Sequence, residues 1–144
     1  MVGDDHHAAV QALQGHAAKE IMTRDCTMIQ PEMNVDRLIN EYVLPTGKRC
    51  FIVSKDSRLQ GMVTLHEIKS VPQPDRVNRT VGQIMKPVEK LKSVGPDEDL
   101  ATVMGILTEQ DINQVPVMEN GQLVGMIARD NLLNFINLKE SISS

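Results

Sequence analysis

Apolar residues recur along the chain in two kinds of pattern, helical stripes and short strand-like runs, and the two alternate in a fixed order. Val35, Leu38, Ile39, Tyr42 and Val43 fall at offsets 0, 3, 4, 7 and 8, the stripe of a helix with one buried face. Pro31-Glu32 opens that helix and Pro45-Thr46-Gly47 ends it. Cys50-Phe51-Ile52-Val53 and Leu59 to Val63 flank the polar turn Lys55-Asp56-Ser57 and predict a strand pair. Thr64-Leu65-His66-Glu67 has the S/T-x-x-E form of a capping box, so a helix starts there and stops before Pro72.

The same signals follow a second time. Leu100, Val103, Met104 and Leu107 form a stripe after Pro96-Asp97-Glu98-Asp99, whose acidic residues suit a first turn because the helix dipole favours negative charge there. Val115-Pro116-Val117-Met118 and Leu123 to Ile127 flank Asn120-Gly121, a hairpin dipeptide. Pro116 cannot donate to a ladder and must lie at an edge, a strand start or a bulge. Leu132, Leu133, Phe135 and Ile136 predict a helix over Asp130 to Leu138, with the polar tail Glu140 to Ser144 fraying. Ahead of both copies, Ala8 to Lys19 reads as a short helix interrupted by Gly15.

Ile21-Met22 to Gly61-Met62-Val63 thus recurs as Ile84-Met85 to Gly125-Met126-Ile127, about 64 residues later. Two copies are too few for a solenoid, which needs three or more to bury a continuous core. The pattern divides the chain into a lead-in at 1–17, a first repeat at 18–71, a connector at 72–80, a second repeat at 81–138 and a tail at 139–144. The connector is short, so the two copies are expected to pack on each other.

Composition narrows the function. With 41% hydrophobic but only 2% aromatic residues, the core rests on aliphatic side chains and methionine, which fills irregular gaps. A net charge of −4 lacks the basic footprint of nucleic-acid binding, and base stacking would need more aromatics. Cys26 and Cys50 read as reduced, buried thiols rather than a disulfide. No run approaches the roughly 18–20 apolar residues of a membrane span. Met1 to His7 is polar and acidic, unlike a signal or transit peptide, so the expectation is a soluble, cytoplasmic chain with no direct membrane insertion. No nucleophile elbow, P-loop or dinucleotide fingerprint is present. Asp97, Glu98 and Asp99 are explained by helix capping, and His6, His7 and His16 have no metal-ligand spacing. Neither catalysis nor a metal site is expected.

The duplicated order, with IMTRDCTMIQPEMNVDRLI and VGQIMKPVEKLKSVGPDEDLATVM opening the copies, resembles the tandem cystathionine β-synthase (CBS) domain pair. The closings GMVTLHEI and GMIARDNLL are similar to that family's glycine-hydrophobic-hydrophobic-Ser/Thr-x-x-Asp signature. The resemblance implies an α+β fold of two β-α-β-β-α repeats packed sheet to sheet about a pseudo-twofold axis. It also implies a regulatory, Bateman-type module, commonly a homodimer, whose clefts between the repeats take AMP, ATP or S-adenosylmethionine.

In that family the acidic residue accepts hydrogen bonds from the ribose hydroxyls, the Ser/Thr faces phosphate at a helix start, and the backbone of the preceding strand reads the adenine edge. Carried onto the first copy, these positions are Glu67, Thr64 and the strand Arg49-Cys50-Phe51-Ile52, with His66 or Arg49 as phosphate partners. Thr23 joins the ligand-binding set. On the second copy they are Asn131, Ala128 and Asn113-Gln114-Val115-Pro116, with Arg129 toward phosphate. A hydrogen bond to a charged group contributes about 1.5–3 kcal/mol against roughly 0.5–1.5 for a neutral one. The amide at Asn131 should therefore weaken binding on the order of tenfold, and the first copy is expected to hold the better site.

The stretch GMVTLHEIKSVPQPDRVNRTVGQIMKPVEKL is similar to CBS pairs at the C-terminus of site-two-protease-type intramembrane metalloproteases. That implies a regulatory piece on the cytoplasmic side of a membrane metalloprotease in cis; a free-standing CBS pair is the other reading. A dimerisation scaffold that binds no ligand is the alternative function.

Overall fold

The computed structural model describes residues 9–24 and 27–143. His6, His7, Cys26 and the start of the lead-in at Ala8 therefore lie outside the described residues. The chain divides into two compact units, residues 25–91 and a discontinuous unit of residues 1–24 with 92–144.

In the contiguous unit, strand β1 (Thr27–Ile29) leads to helix α1 (Val35–Leu38). The Asn34 side chain accepts the Arg37 N–H at 2.7 Å, and this cap starts the helix at Val35, later than the Pro31-Glu32 opening expected from the sequence. The helix widens into a π-turn at Ile39–Val43 before Leu44–Thr46. Pro45 has no N–H to return to the preceding turn, and the wider register lies directly before it. Gly47, at φ 73°, closes the segment.

Strands β2 (Cys50–Lys55) and β3 (Arg58–Thr64) form an antiparallel hairpin. Its turn places Asp56 and Ser57 at φ 53° and 65°, the doubly left-handed geometry that matches the twist of the strands. Helix α2 (Leu65–Lys69), helix α3 (Val81–Ile84) and strand β4 (Lys86–Pro87) complete the unit. The sheet order is β1-β2-β3-β4, with β1 parallel to β2. Phe51, Val53, Val63, Val35, Leu38, Ile68 and Val81 form the core, and Tyr42 meets Phe51 edge to face at 6.4 Å.

The discontinuous unit is built on helix α4 (Leu100–Glu109), the hairpin of β5 (Gln114–Glu119) and β6 (Gln122–Ala128), and helix α5 (Arg129–Ser143). Asn120 and Gly121 sit at φ 53° and 78°, as the dipeptide predicts. Pro116 lies one residue before a register irregularity at Val117/Met118. The outer side of β5 is bordered by a bridge from Val94, whose N–H donates to Pro116 O at 3.1 Å and whose carbonyl accepts Met118 N–H at 2.8 Å. The acidic cluster precedes α4 rather than filling its first turn. Asp99 is the cap, accepting the N–H groups of Ala101 and Gly15, each at 2.8 Å. Those two bonds hold its carboxyl below the usual range. Asp97 pairs with Lys19 at 2.9 Å.

The lead-in is helical over 9–13 and stops at Gly15, φ 83°. It then turns through Ala18–Glu20. Leu13 and Ala18 enter the same core as Leu100, Val103, Leu107, Val115, Val117, Ile127, Leu132 and Ile136. Helix α5 continues to Ser143, past the Leu138 end expected from the sequence. Lys139 anchors the added turns by donating to Ala12 O at 3.0 Å.

The opening segments change places. Met22 and Thr23, which open the first copy, run beside β6 of the second, where Thr23 and Met126 exchange backbone bonds of 2.8 Å in both directions. Met85 and β4, which open the second copy, run beside β3 of the first. A glycine lies under each segment. A Cβ on Gly61 would press into the Lys86 carbonyl oxygen and come within 2.8 Å of Met85 Sδ. A Cβ on Gly125 would meet Met22 Sδ at 2.7 Å and Thr23 O at 3.0 Å.

Candidate functional site

In each copy the open end of the hairpin meets the start of the following helix, and the residues singled out from sequence gather there. In the first copy Cys50 pairs with Thr64 and Phe51 with Val63, while Leu65 N–H donates to Arg49 O at 3.2 Å. Arg49, Cys50, Thr64, His66 and Glu67 therefore occupy one end of the unit. The Phe51 side chain is fully buried in the core, and its backbone lies between Thr27 of β1 and Val63 of β3.

The expected capping box is present. Thr64 N–H and Oγ1 both donate to Glu67 Oε1, at 2.7 and 2.9 Å. Thr64 Oγ1 in turn accepts His66 N–H at 3.2 Å. One carboxylate oxygen of Glu67 thus carries the cap. Among the described residues, Oε2 has no hydrogen-bond partner. Glu67 is half-buried and His66 exposed.

The second copy repeats this backbone with other side chains. Gln114 pairs with Ala128, Val115 with Ile127 and Pro116 with Met126. Arg129 N–H donates to Asn113 O at 2.7 Å. Asn131 Oδ1 accepts Ala128 N–H at 2.7 Å, so an amide does the work that Glu67 does in the first copy. Ala128 brings no hydroxyl. The Arg129 guanidinium donates from one nitrogen, Nη2, to Leu107 O and Ile112 O, each at 3.0 Å. It ties the end of α4 to the start of α5, and its Nε is buried without a hydrogen-bond partner. Reading Arg129 as a staple between helices requires knowing where the last carbonyls of α4 lie, and no sequence spacing gives that.

Thr23 stands with the second set, because its neighbour is Met126. Its Oγ1 lies 3.4 Å from Met126 O. A separate concavity of about 470 Å³ in the contiguous unit is lined by Met28, Ile29, Gln30, Glu32, Met33, Arg37 and Tyr42, none of them in the set drawn from sequence. At its rim Glu32 pairs with Lys55 at 2.8 Å, an ion pair that holds the Glu32 carboxyl below its usual range. Among the described residues no group of three His, Cys, Asp or Glu side chains is placed to hold a metal ion, and no helix is long and apolar enough to cross a membrane.

Comparison with known proteins bears on this arrangement. A candidate zinc metalloprotease of Synechocystis is 21% identical over 126 residues, which is 85% of this chain and 33% of that protein. The chain spans a third to a half of the length of the curated relatives it matches. Among solved structures, the CBS domain of a bacterial CNNM/CorC-family Mg2+ transporter superposes with a TM-score of 0.77 at 17% identity, covering 93% of this chain and 82% of that one. CBSX2 in complex with AMP gives 0.74 at 20% identity, covering 90% and 100%. The CBS domain pair of protein MJ0100, in complex with 5′-methylthioadenosine and S-adenosylmethionine, gives 0.74 at 15%, covering 86% and 98%. The model of the CBS domain matches twice, over residues 18–73 and 81–138. With most of its length inside those two matches, this α+β chain belongs to the CBS-domain family and carries two copies of the domain.

Proposed function

We propose that the chain is a regulatory module that binds an adenosine-containing ligand, AMP, ATP or S-adenosylmethionine, and thereby controls an attached or partner protein. The site is the Thr64–Glu67 end of the first copy. The observation that carries this reading is the division of labour within one carboxylate: Oε1 of Glu67 is fixed by Thr64, and Oε2 is left as an oriented, charged acceptor. A vicinal diol such as ribose offers the donors it lacks. Arg49 and His66, at the same end of the unit, are the side chains proposed to meet phosphate. Three structures similar in fold, CBSX2, the CBS domain pair of MJ0100 and the cytosolic domain of the Mg2+ channel MgtE, are complexes with AMP, S-adenosylmethionine and ATP respectively, which supports the ligand class.

Calorimetry with the three ligands on wild type and Glu67→Gln tests the proposal. Glutamine can keep the cap, because capping boxes use Glu or Gln alike, but it removes the charge. Binding should weaken on the order of tenfold with the fold unchanged. The reciprocal Asn131→Asp change should strengthen any binding at the second copy. The second reading, a dimerisation scaffold without a ligand, is favoured by one observation: the Thr64 hydroxyl both donates and accepts within the cap. It predicts no binding heat with any of the three ligands, in wild type or either variant, together with dimers in sedimentation.

The proposal extends to context. The chain acts without catalysis of its own, on the cytoplasmic side, as the regulatory part of a longer protein for which a site-two-type membrane metalloprotease is the leading candidate. The match to a third of the Synechocystis relative supports this. A His-Glu-x-x-His helix and membrane spans in the same open reading frame would bear it out; a frame confined to the two CBS copies would favour the free-standing alternative.

A further inference from the structure

His16 stands between an anion and a cation where the lead-in meets the last helix. Its Nδ1 lies 3.0 Å from Glu20 Oε1 and its Nε2 lies 2.7 Å from Lys139 Nζ. The ring meets Phe135 edge to face at 4.9 Å. Glu20 is itself fixed, since its Oε2 accepts the Ala17 N–H at 2.6 Å. An ammonium group has donors only, so Nε2 must accept from Lys139 and the imidazole proton must sit on Nδ1, facing Glu20. A single tautomer of the neutral ring satisfies both neighbours. The protonated ring satisfies only one, because its Nε2–H would point at a second cation at 2.7 Å.

We propose that His16 is a proton-operated latch on the C-terminal turns of α5: neutral, it holds Lys139 against the lead-in beside the Ala12 carbonyl, and protonated, it repels Lys139 and leaves that carbonyl as the weaker, single hold. The charged groups facing the ring decide which neighbour is lost. Glu20 comes from its own segment, Asp99 from the turn before α4 and Lys139 from α5. Two carboxylates and one ammonium group thus surround the ring. The lead-in cannot swing away in its place, because Gly15 N–H is bonded to Asp99 and Leu100 N–H to His16 O, each at 2.8 Å. Movement therefore falls on the end of α5, where Ile142 is 84% exposed and has no core to enter. Protonation of the ring is the step that opens the latch, so acidification is the condition that probes it.

Amide hydrogen exchange on the full chain, corrected for intrinsic rates and compared at about pH 8 and about pH 5.5, tests this. Residues 138–143 of wild type should lose protection about threefold to tenfold on acidification, while α4 keeps its own. His16→Gln, which can accept from Lys139 but does not titrate, should remove the pH response. Lys139→Met, which loses the bonds to both His16 and Ala12, should show a tail less protected than acidified wild type at both pH values. Imidazole nitrogen shifts should report the Nδ1–H tautomer at the higher pH. The proposal is overturned if the wild-type tail is equally protected at both pH values, if His16→Gln responds to pH as wild type does, or if the neutral ring carries its proton on Nε2.

Discussion

Where the first copy has Ile52 in its inner strand, the second has Pro116, and the strands beside them differ to match. Strand β1 pairs with β2 through three residues, Met28 lying opposite Ile52. Beside β5 the same edge is reduced to a bridge at Val94, because proline has no N–H to offer a neighbour. The hairpin turns differ in the same spirit: Asp56-Ser57 in one copy and Asn120-Gly121 in the other adopt one geometry. At the helix start, Glu67 and Asn131 both accept the N–H of the residue three before them, at 2.7 Å. The backbone plan has therefore been kept while the chemistry at its functional end has diverged. A charged acceptor remains in one copy and a neutral amide in the other.

Dissection should break the comparison most completely. Residues 25–91 contain the whole of their unit, whereas the second repeat alone, 81–138, lacks the lead-in that supplies Leu13, Ala18 and Thr23. Expressed separately, 25–91 should give native-like circular dichroism and a cooperative urea transition, and 81–138 should give neither. Equal folding of the two pieces would show that the lead-in is dispensable.

The glycines under the exchanged segments offer a sharper, smaller contrast. Gly61→Ala drives a methyl into a backbone carbonyl, while Gly125→Ala first meets the flexible end of Met22. Overpacking a tight site costs about 1–3 kcal/mol, with Gly61→Ala expected near the top of that range and Gly125→Ala near the bottom. Urea midpoints of the two variants check the order, and the reverse order would mean that the Met85 segment yields more easily than the Met22 segment. Smallest is the effect at the turn. Ser57→Gly should stabilise the first hairpin by about 1 kcal/mol, since a non-glycine residue at positive φ is strained. A thermal melt of that variant at or below wild type would show that the Ser57 side chain offsets its strain.

The comparison also shows what a sequence reader can reach. The helical stripes, the two hairpins, the Thr64–Glu67 cap and the Asn120-Gly121 turn are signals written within a few neighbouring residues, and all appear in the structure. The start of α1 was displaced because Asn34 offers a better cap than the Pro31-Glu32 pair, a local competition that the stripe does not rank. Nothing local tells Thr23 to seek Met126, 103 residues away, or Lys139 to reach His16, 123 residues away. Such pairings depend on tertiary packing and leave no periodic trace. The candidate site followed the same division. Its cap was legible from spacing, and the commitment of the Arg129 guanidinium to Leu107 and Ile112 was not.

The split composition of the discontinuous unit sets an order of events on the ribosome. Residues 9–24 emerge ahead of the rest of their unit, yet the strand that receives Thr23 is not made until Met126 has been added. At roughly 5–20 residues per second, that wait lasts on the order of ten seconds. Meanwhile the contiguous unit can close as soon as its last strand, Lys86–Pro87, has cleared the exit tunnel. Leu13 and Met22 spend the interval with no core to enter, so within these two units the lead-in is the stretch that a chaperone would meet for longest.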